Sequence, residues 1–197
     1  MKKIGITGGV GSGKSLVLAF LEETYHAVVC QADLIAHEVQ RPGEDCYQEV
    51  VRTFGEEILH ADGTINRGIL GGIVFADPGK LRTLNEIVHP AVERRISELV
   101  STEEARGTEV FILEAALLNK PFYRELLDEI WYIHVRDEVR RERLKASRGY
   151  TDEKITSMFD SQAREEEFRR ISDRVIENSG DPGDTYAQLR TAFETGL

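Results

Sequence analysis

The residues Gly8-Gly9-Val10-Gly11-Ser12-Gly13-Lys14-Ser15 set glycines, a lysine and a hydroxyl at the spacing of a phosphate-binding loop. Glycines at 8, 11 and 13 let the backbone turn tightly and bring successive N–H groups toward one point, and the helix that such a loop opens adds the positive end of its dipole. A polyphosphate fits that cradle. Lys14 would reach the β- and γ-phosphates as a mobile point charge, and the Ser15 hydroxyl would ligate a magnesium ion bridging the same oxygens. Gly9, Val10, Gly11, Ser12, Gly13, Lys14, Ser15 and Leu16 are therefore the candidate nucleotide-binding residues.

A phosphate loop specifies a nucleotide and leaves the reaction open. Asp33, at the end of the second apolar run, narrows it: a carboxylate there can take the proton of an attacking alcohol or orient that alcohol in line with the γ-phosphate. The competing role is a helix N-cap, and the two can coexist. Glu114 follows another apolar run, where it would hold a magnesium-bound water or a substrate hydroxyl, or simply stand at a strand edge. Arg67 is either a ligand for a substrate phosphate or a cap, and His37 and His89 are either structural or substrate contacts. Between residues 136 and 148 six basic side chains stand against three acidic ones. Such a run is either a solvated helix face or a lid whose arginines, Arg140, Arg143 and Arg148 among them, neutralise the transferring phosphoryl group.

These residues need a scaffold. Short apolar runs at Ile4–Ile6, Ala27–Cys30, Val110–Leu113, Ile130–Val135 and Val175–Ile176 read as buried strands separated by helical or loop-forming sequence. Strands alternating with helices predict an α/β fold with a doubly wound, parallel, five-stranded sheet, whose ligands sit beyond the carboxyl ends of the strands. The loop, Asp33 and Glu114 all fall just after such runs. Lys80 to Val100 carries an apolar stripe at helical period, interrupted by His89-Pro90, where proline predicts a kink or a split. Asp62-Gly63 and Asp77-Pro78-Gly79 read as breaks, Gly180–Asp184 as a short linker, and the region after Asp137 as two helices around Gly149.

A chain of 197 residues suits one sizeable domain. Its net charge of −10 argues against a general binder of nucleic acid or membrane surfaces. Two cysteines, Cys30 and Cys46, match no zinc or redox spacing and predict ordinary buried thiols in a reducing cytoplasm. No apolar leader precedes the first strand and no window is apolar enough to span a bilayer, which predicts a soluble, unexported protein.

With these residues laid out, the chain resembles the dephospho-coenzyme A kinase family over nearly its whole length. The resemblance rests on Ile6–Ser15, Ala32–Val39, Asp62–Arg67, Val74–Pro78, Leu84-Asn85, His89-Pro90 and Asp173–Asn178, recurring in the family's order. It implies a single P-loop NTPase-type kinase domain with a nucleotide-binding core, a helical substrate-binding insertion over about 60–100 and a helical lid over about 136–170. It further implies ATP-dependent phosphorylation of the ribose 3′-hydroxyl of dephospho-coenzyme A, the last step of coenzyme A synthesis. Asp33 would be the base, assisted by Lys14, Arg140 and Arg148; Arg143 would join the ATP site with magnesium on Ser15. His37, Arg67, His89 and Glu114 would face the substrate. The chain departs from the family's usual pattern at Leu16, Gln31, Met158, Phe168 and the Glu114–Leu118 segment.

Another P-loop kinase of a small alcohol or nucleotide would share the loop and Asp33. A guanine-reading nucleotide switch would need an Asn-Lys-x-Asp motif, and the one Asn-Lys pair, Asn119-Lys120, continues as Pro121-Phe122.

Overall fold

The computed structural model describes residues 1–195. Five strands, β1 (Lys2–Thr7), β2 (Val28–Gln31), β3 (Val110–Glu114), β4 (Glu129–His134) and β5 (Arg174–Glu177), form one sheet in the order β2-β3-β1-β4-β5. The pairs of β1 with β3 and β4, and of β4 with β5, are parallel. Each strand sits within two residues of its apolar run, extended or shifted because ladder hydrogen bonds continue into polar flanks such as Lys2, Gln31 and Glu129.

The described residues form ten α-helices around the strands: α1 (Lys14–Tyr25), α2 (Ala32–Glu38), α3 (Asp45–Phe54), α4 (Arg67–Phe75), α5 (Pro78–Ala105), α6 (Pro121–Leu126), α7 (Asp137–Arg148), α8 (Asp152–Asp160), α9 (Glu165–Ile171) and α10 (Pro182–Glu194). The chain groups into two compact units, Gln31–Glu103 and the remainder.

In the unit that holds β1, β3, β4 and β5, alternate residues face opposite sides of the sheet. Ile4, Ile6, Ile112, Trp131 and Ile133 pack with Val17 and Leu21 of α1 and Leu189 and Phe193 of α10. Tyr25 stacks on Phe193 at 3.9 Å and Phe20 on Tyr186 at 4.5 Å, tying α1 to α10. The other face is dry as well: a Cβ on Gly5 would stand 2.6 Å from Leu118 and 2.7 Å from Leu127, so the helix-side layer comes down directly on the β1 backbone. Burial on both faces is what turns the strands into near-continuous apolar runs.

In the unit Gln31–Glu103, α5 buries Val88, Ala91, Val92, Ile96 and Val100. The expected kink or split at Pro90 gives no break in the helix: α5 runs unbroken for 28 residues. Glu86 and Pro90 are both exposed, so the carbonyl that loses its helical donor lies on the wet side while the apolar face continues across it. The expected turn at Asp62-Gly63 forms, with Gly63 at φ 80° and Asp62 Oδ1 accepting from Thr64 N–H at 3.0 Å. Asn66 caps α4, its Oδ1 accepting from Gly68 and Ile69 N–H at 3.0 and 3.1 Å, so Arg67 is not the cap.

One further sequence reading changes. Gly180–Asp184 is the head of α10 rather than a linker: Asp181 caps it by accepting from Gly183 N–H at 2.7 Å, with Pro182 in the first turn. The two helices expected around Gly149 form as α7 and α8, with Gly149 in the left-handed conformation closing α7, and α9 follows them. Cys30 and Cys46 are buried and form no disulfide among the described residues. No helix among the described residues is long and apolar enough to cross a membrane.

Asp173 fastens the start of β5. Its Oδ2 accepts from Ile130 N–H at 2.7 Å and from Arg124 at 2.8 Å. Burial pushes its pKa up, but the hydrogen bonds from Arg124 and the Ile130 amide outweigh that and hold it below the usual carboxylate range. A lowered folded pKa means stability present at neutral pH and lost as pH falls through that pKa. Asp173→Asn is expected to cost about 1 kcal/mol at pH 7 after allowance for solvent screening, or ~2–4 °C in thermal midpoint. The difference from wild type should shrink below about pH 3.9, because a protonated aspartate resembles asparagine. Circular-dichroism melts from pH 7 to 3 test this; a constant gap would remove the charge from the account.

Candidate active site

β1 ends at Thr7 and α1 begins at Lys14, leaving Gly8–Gly13 as the loop the sequence requires. Gly11 and Gly13 have φ of 77° and 82°, in the left-handed region that only glycine enters freely. Gly13 also needs to be bare: a Cβ there would stand 2.4 Å from Asn178 Nδ2. Asn178, just past β5, donates from that nitrogen to the Ser12 carbonyl at 2.8 Å and accepts from the Thr185 hydroxyl at 2.9 Å. Asn178 and Thr185 are fully buried, so the loop's far end is pinned to the head of α10. The Ser12 hydroxyl is buried without a partner, a polar group held inside the loop.

Lys14 donates to the Gly8 carbonyl at 2.7 Å and lies 3.5 Å from Glu114 Oε1, with both side chains mostly shielded from solvent. The register that pairs Ile6 with Glu114 puts this carboxylate at the carboxyl end of β3 beside the loop. The Thr7 hydroxyl donates to the Ala116 carbonyl at 3.0 Å and keeps the two strand ends together. Ser15 is exposed in the first turn of α1, and Leu16 N–H donates to the Gly13 carbonyl at 3.0 Å, so Leu16 begins the helical ladder. Hydroxyl and carboxylate are hard oxygen donors of the kind magnesium prefers. No group of three or more His, Cys, Asp or Glu among the described residues could hold a metal alone, so a cation here would depend on phosphate oxygens.

The arginine run of α7 divides between the two readings. Arg140 reaches the loop: its Nε donates to the Val10 carbonyl at 3.0 Å, while its guanidinium lies over the Phe159 ring at 4.0 Å. Arg143 is half-buried near Gly13. Arg141 and Lys145 instead turn to Asp152 at the start of α8, at 3.9 and 2.7 Å, and form the solvated face. Arg148 is exposed at the end of α7 and faces the Tyr150 ring at 6.0 Å. Phe168, one of the departures from the family's usual pattern, is buried and stacked on Tyr132 at 4.9 Å.

The other unit carries the remaining candidates. Asp33 lies exposed in the first turn of α2, two residues past β2, and Gln31 rather than Asp33 holds the N-cap position. Its carboxylate has no hydrogen-bond or ion-pair partner among the described residues. His37 is exposed in the last turn of the same helix, and His89 is half-buried on α5. Arg67 opens α4 without a carboxylate partner among the described residues, and partial desolvation lowers its pKa from the ordinary value.

Two residues that contact the loop carried no assigned role in the sequence reading. Asn178 stood only as the last residue of a resembling segment, and Gln162, whose side chain reaches Val10, had no signal at all. Both act across more than 150 positions of sequence, where local pattern carries no information.

Comparison with known proteins agrees with this geometry. The dephospho-CoA kinase family model matches residues 2–184. A dephospho-CoA kinase of Symbiobacterium thermophilum is 38% identical over 193 residues, covering 98% of this chain and 80% of that protein. A crystal structure of a Thermus thermophilus protein superposes with a TM-score of 0.82 at 30% identity, covering 98% of this chain and 97% of the other. A Campylobacter jejuni dephospho-CoA kinase superposes at 0.70 with 22% identity, over 98% and 96% of the two chains, a likeness of fold. With a phosphate loop after β1, a carboxylate at the end of β3 and an arginine of α7 facing that loop, and a family match over residues 2–184, the chain belongs to the dephospho-CoA kinase family.

Proposed function

We propose that this chain transfers the γ-phosphoryl group of ATP to the ribose 3′-hydroxyl of dephospho-CoA, giving CoA and ADP. The observation that carries the reading is a fully formed phosphate loop, with Lys14 tethered to Gly8 and Glu114, in a chain of this family. Loop N–H groups and Lys14 hold the ATP phosphates; Ser15 would ligate magnesium, and Glu114 would hold a water of that ion. Magnesium supplies charge neutralisation when bound. Lys14 leaves Glu114 for the phosphate at little cost, since one anion replaces another.

In this reading Asp33 accepts the 3′-hydroxyl proton as the ribose oxygen bonds to the γ-phosphorus and the bond to the β-phosphate oxygen breaks. A base must have its lone pairs available, and Asp33 meets that requirement. Arg140 spreads the charge that develops on the transferring oxygens, and the lid's closure excludes water that would otherwise take the phosphoryl group. Arg67 is a candidate for a substrate phosphate because it is partly desolvated and has no carboxylate partner among the described residues. Arg143 joins the ATP site, while His37 and His89 remain candidate contacts of the acceptor. Arg148 is the weakest of the lid assignments, its ring contact being with Tyr150.

A kinase for another small alcohol would share all of this machinery except the acceptor contacts. ATP consumption with dephospho-CoA against adenosine, gluconate and shikimate separates the two, and turnover confined to dephospho-CoA is expected. Asp33→Asn should lose at least about 100-fold in kcat with ATP affinity unchanged, and near-normal turnover would remove the base. Gly13→Ala should weaken ATP binding by tenfold or more, because about 1–2 kcal/mol of left-handed strain and a displaced Asn178 both act on the loop. Titration calorimetry reads it; wild-type affinity would show that the loop tolerates a side chain there.

A further inference from the structure

The turn between α8 and α9 supplies a side chain that the phosphoryl-transfer reading leaves unused. Gln162 Oε1 accepts two hydrogen bonds, from Val10 N–H at 3.1 Å and from Arg140 Nη2 at 3.1 Å. Arg140 Nε in turn donates to the carbonyl of the same Val10 at 3.0 Å. The three bonds close a ring in which one loop residue offers both its backbone groups to the lid. Two donors converging on one oxygen also fix which end of the amide faces the loop, because Nε2 can only donate. Gly9 makes the approach possible: a Cβ there would lie 2.8 Å from Gln162 Oε1 and 2.4 Å from Arg140 Nη2.

We propose that Gln162 is a positioning residue for phosphoryl transfer, docking the lid on the phosphate loop at Val10 and aiming the Arg140 guanidinium. Its chemistry suits the task. A neutral carbonyl orients the guanidinium without cancelling its charge, whereas a carboxylate at that point would form an ion pair and compete with the phosphoryl oxygens. Arg140 does have one acidic neighbour, Asp137 at 3.0 Å, but that carboxylate is exposed, lies on the same helix one turn away and is screened by water. Without Gln162 the arginine keeps one bond to Val10 and its stacking on Phe159, which restrain its plane but leave the lid free to lift from the loop.

The inference rests on Arg140 being the lid cation of the reaction, and a double-mutant cycle separates the two ideas. Gln162→Met, close in length and without the acceptor, is expected to lower kcat about tenfold while KM for ATP changes less than about twofold. Arg140→Ala should lower kcat further, and the double variant should be no slower than Arg140→Ala, because Gln162 acts through that arginine. Gln162→Ala repeats the measurement with a different side-chain volume, and thermal midpoints should stay within about 2 °C for a surface turn. Multiplicative losses in the double variant, or wild-type kcat in both Gln162 variants, would overturn the inference and leave Arg140 in place. Full turnover in Arg140→Ala would remove the Arg140 role and the inference with it.

Discussion

The structure depends on holding the carbonyls of one short loop away from its guest. In a trans peptide the C=O of one residue and the N–H of the next point in opposite directions. Lys14 takes the carbonyl of Gly8, Arg140 that of Val10, and Asn178 that of Ser12. Each tie turns the following N–H, of Gly9, Gly11 and Gly13, away from the donor that holds the carbonyl. The left-handed glycines permit the turn, but these three ties select one conformation from the many that glycine allows. The donors come from the start of α1, from α7 and from the segment after β5, so the strand order that sets β4 and β5 on one side of β1 is what supplies them.

That arrangement also reconciles an acidic chain with an anionic substrate. A net charge of −10 repels polyphosphate at long range, so attraction has to be local. In the proposed reading Lys14, Arg140 and the head of α1 supply it within one cradle, while Glu114 lies 3.5 Å from Lys14 as its counterion. Two other cations of α7, Arg141 and Lys145, face Asp152 instead, so the local excess of positive charge read from the sequence overstates what reaches the loop.

What the sequence made legible follows from where each signal is stored. The loop, its flanking strand and helix, and all five strands were readable because glycine spacing and two-sided burial are local properties, repeated within a few residues. Glu114 was readable as a strand-end acid, and its partner Lys14 followed from the loop. The continuity of α5 through Pro90 was not, because the apolar face that carries it across the break is a property of packing. The head of α10 was read as a linker since Asp-Pro-Gly serves both turns and helix starts, and only the Asp181 hydrogen bond decides. Asn178 and Gln162 lay beyond reach for a simpler reason: an amide side chain reports nothing about a partner 150 residues away.

Both of those distant contacts are amides, and the physical logic is shared. Lys14 and Arg140 already bring charge to the loop; a carboxylate in place of either amide would neutralise them, and a further cation would be drawn toward bound phosphate. An amide gives a directed hydrogen bond with no net charge, leaving the field at the loop to the residues that meet phosphate. Asn178 is buried against Thr185 at the head of α10, while Gln162 sits in the turn between α8 and α9. One amide thus ties the loop to the head of α10, and the other ties it to the α8–α9 turn and to Arg140.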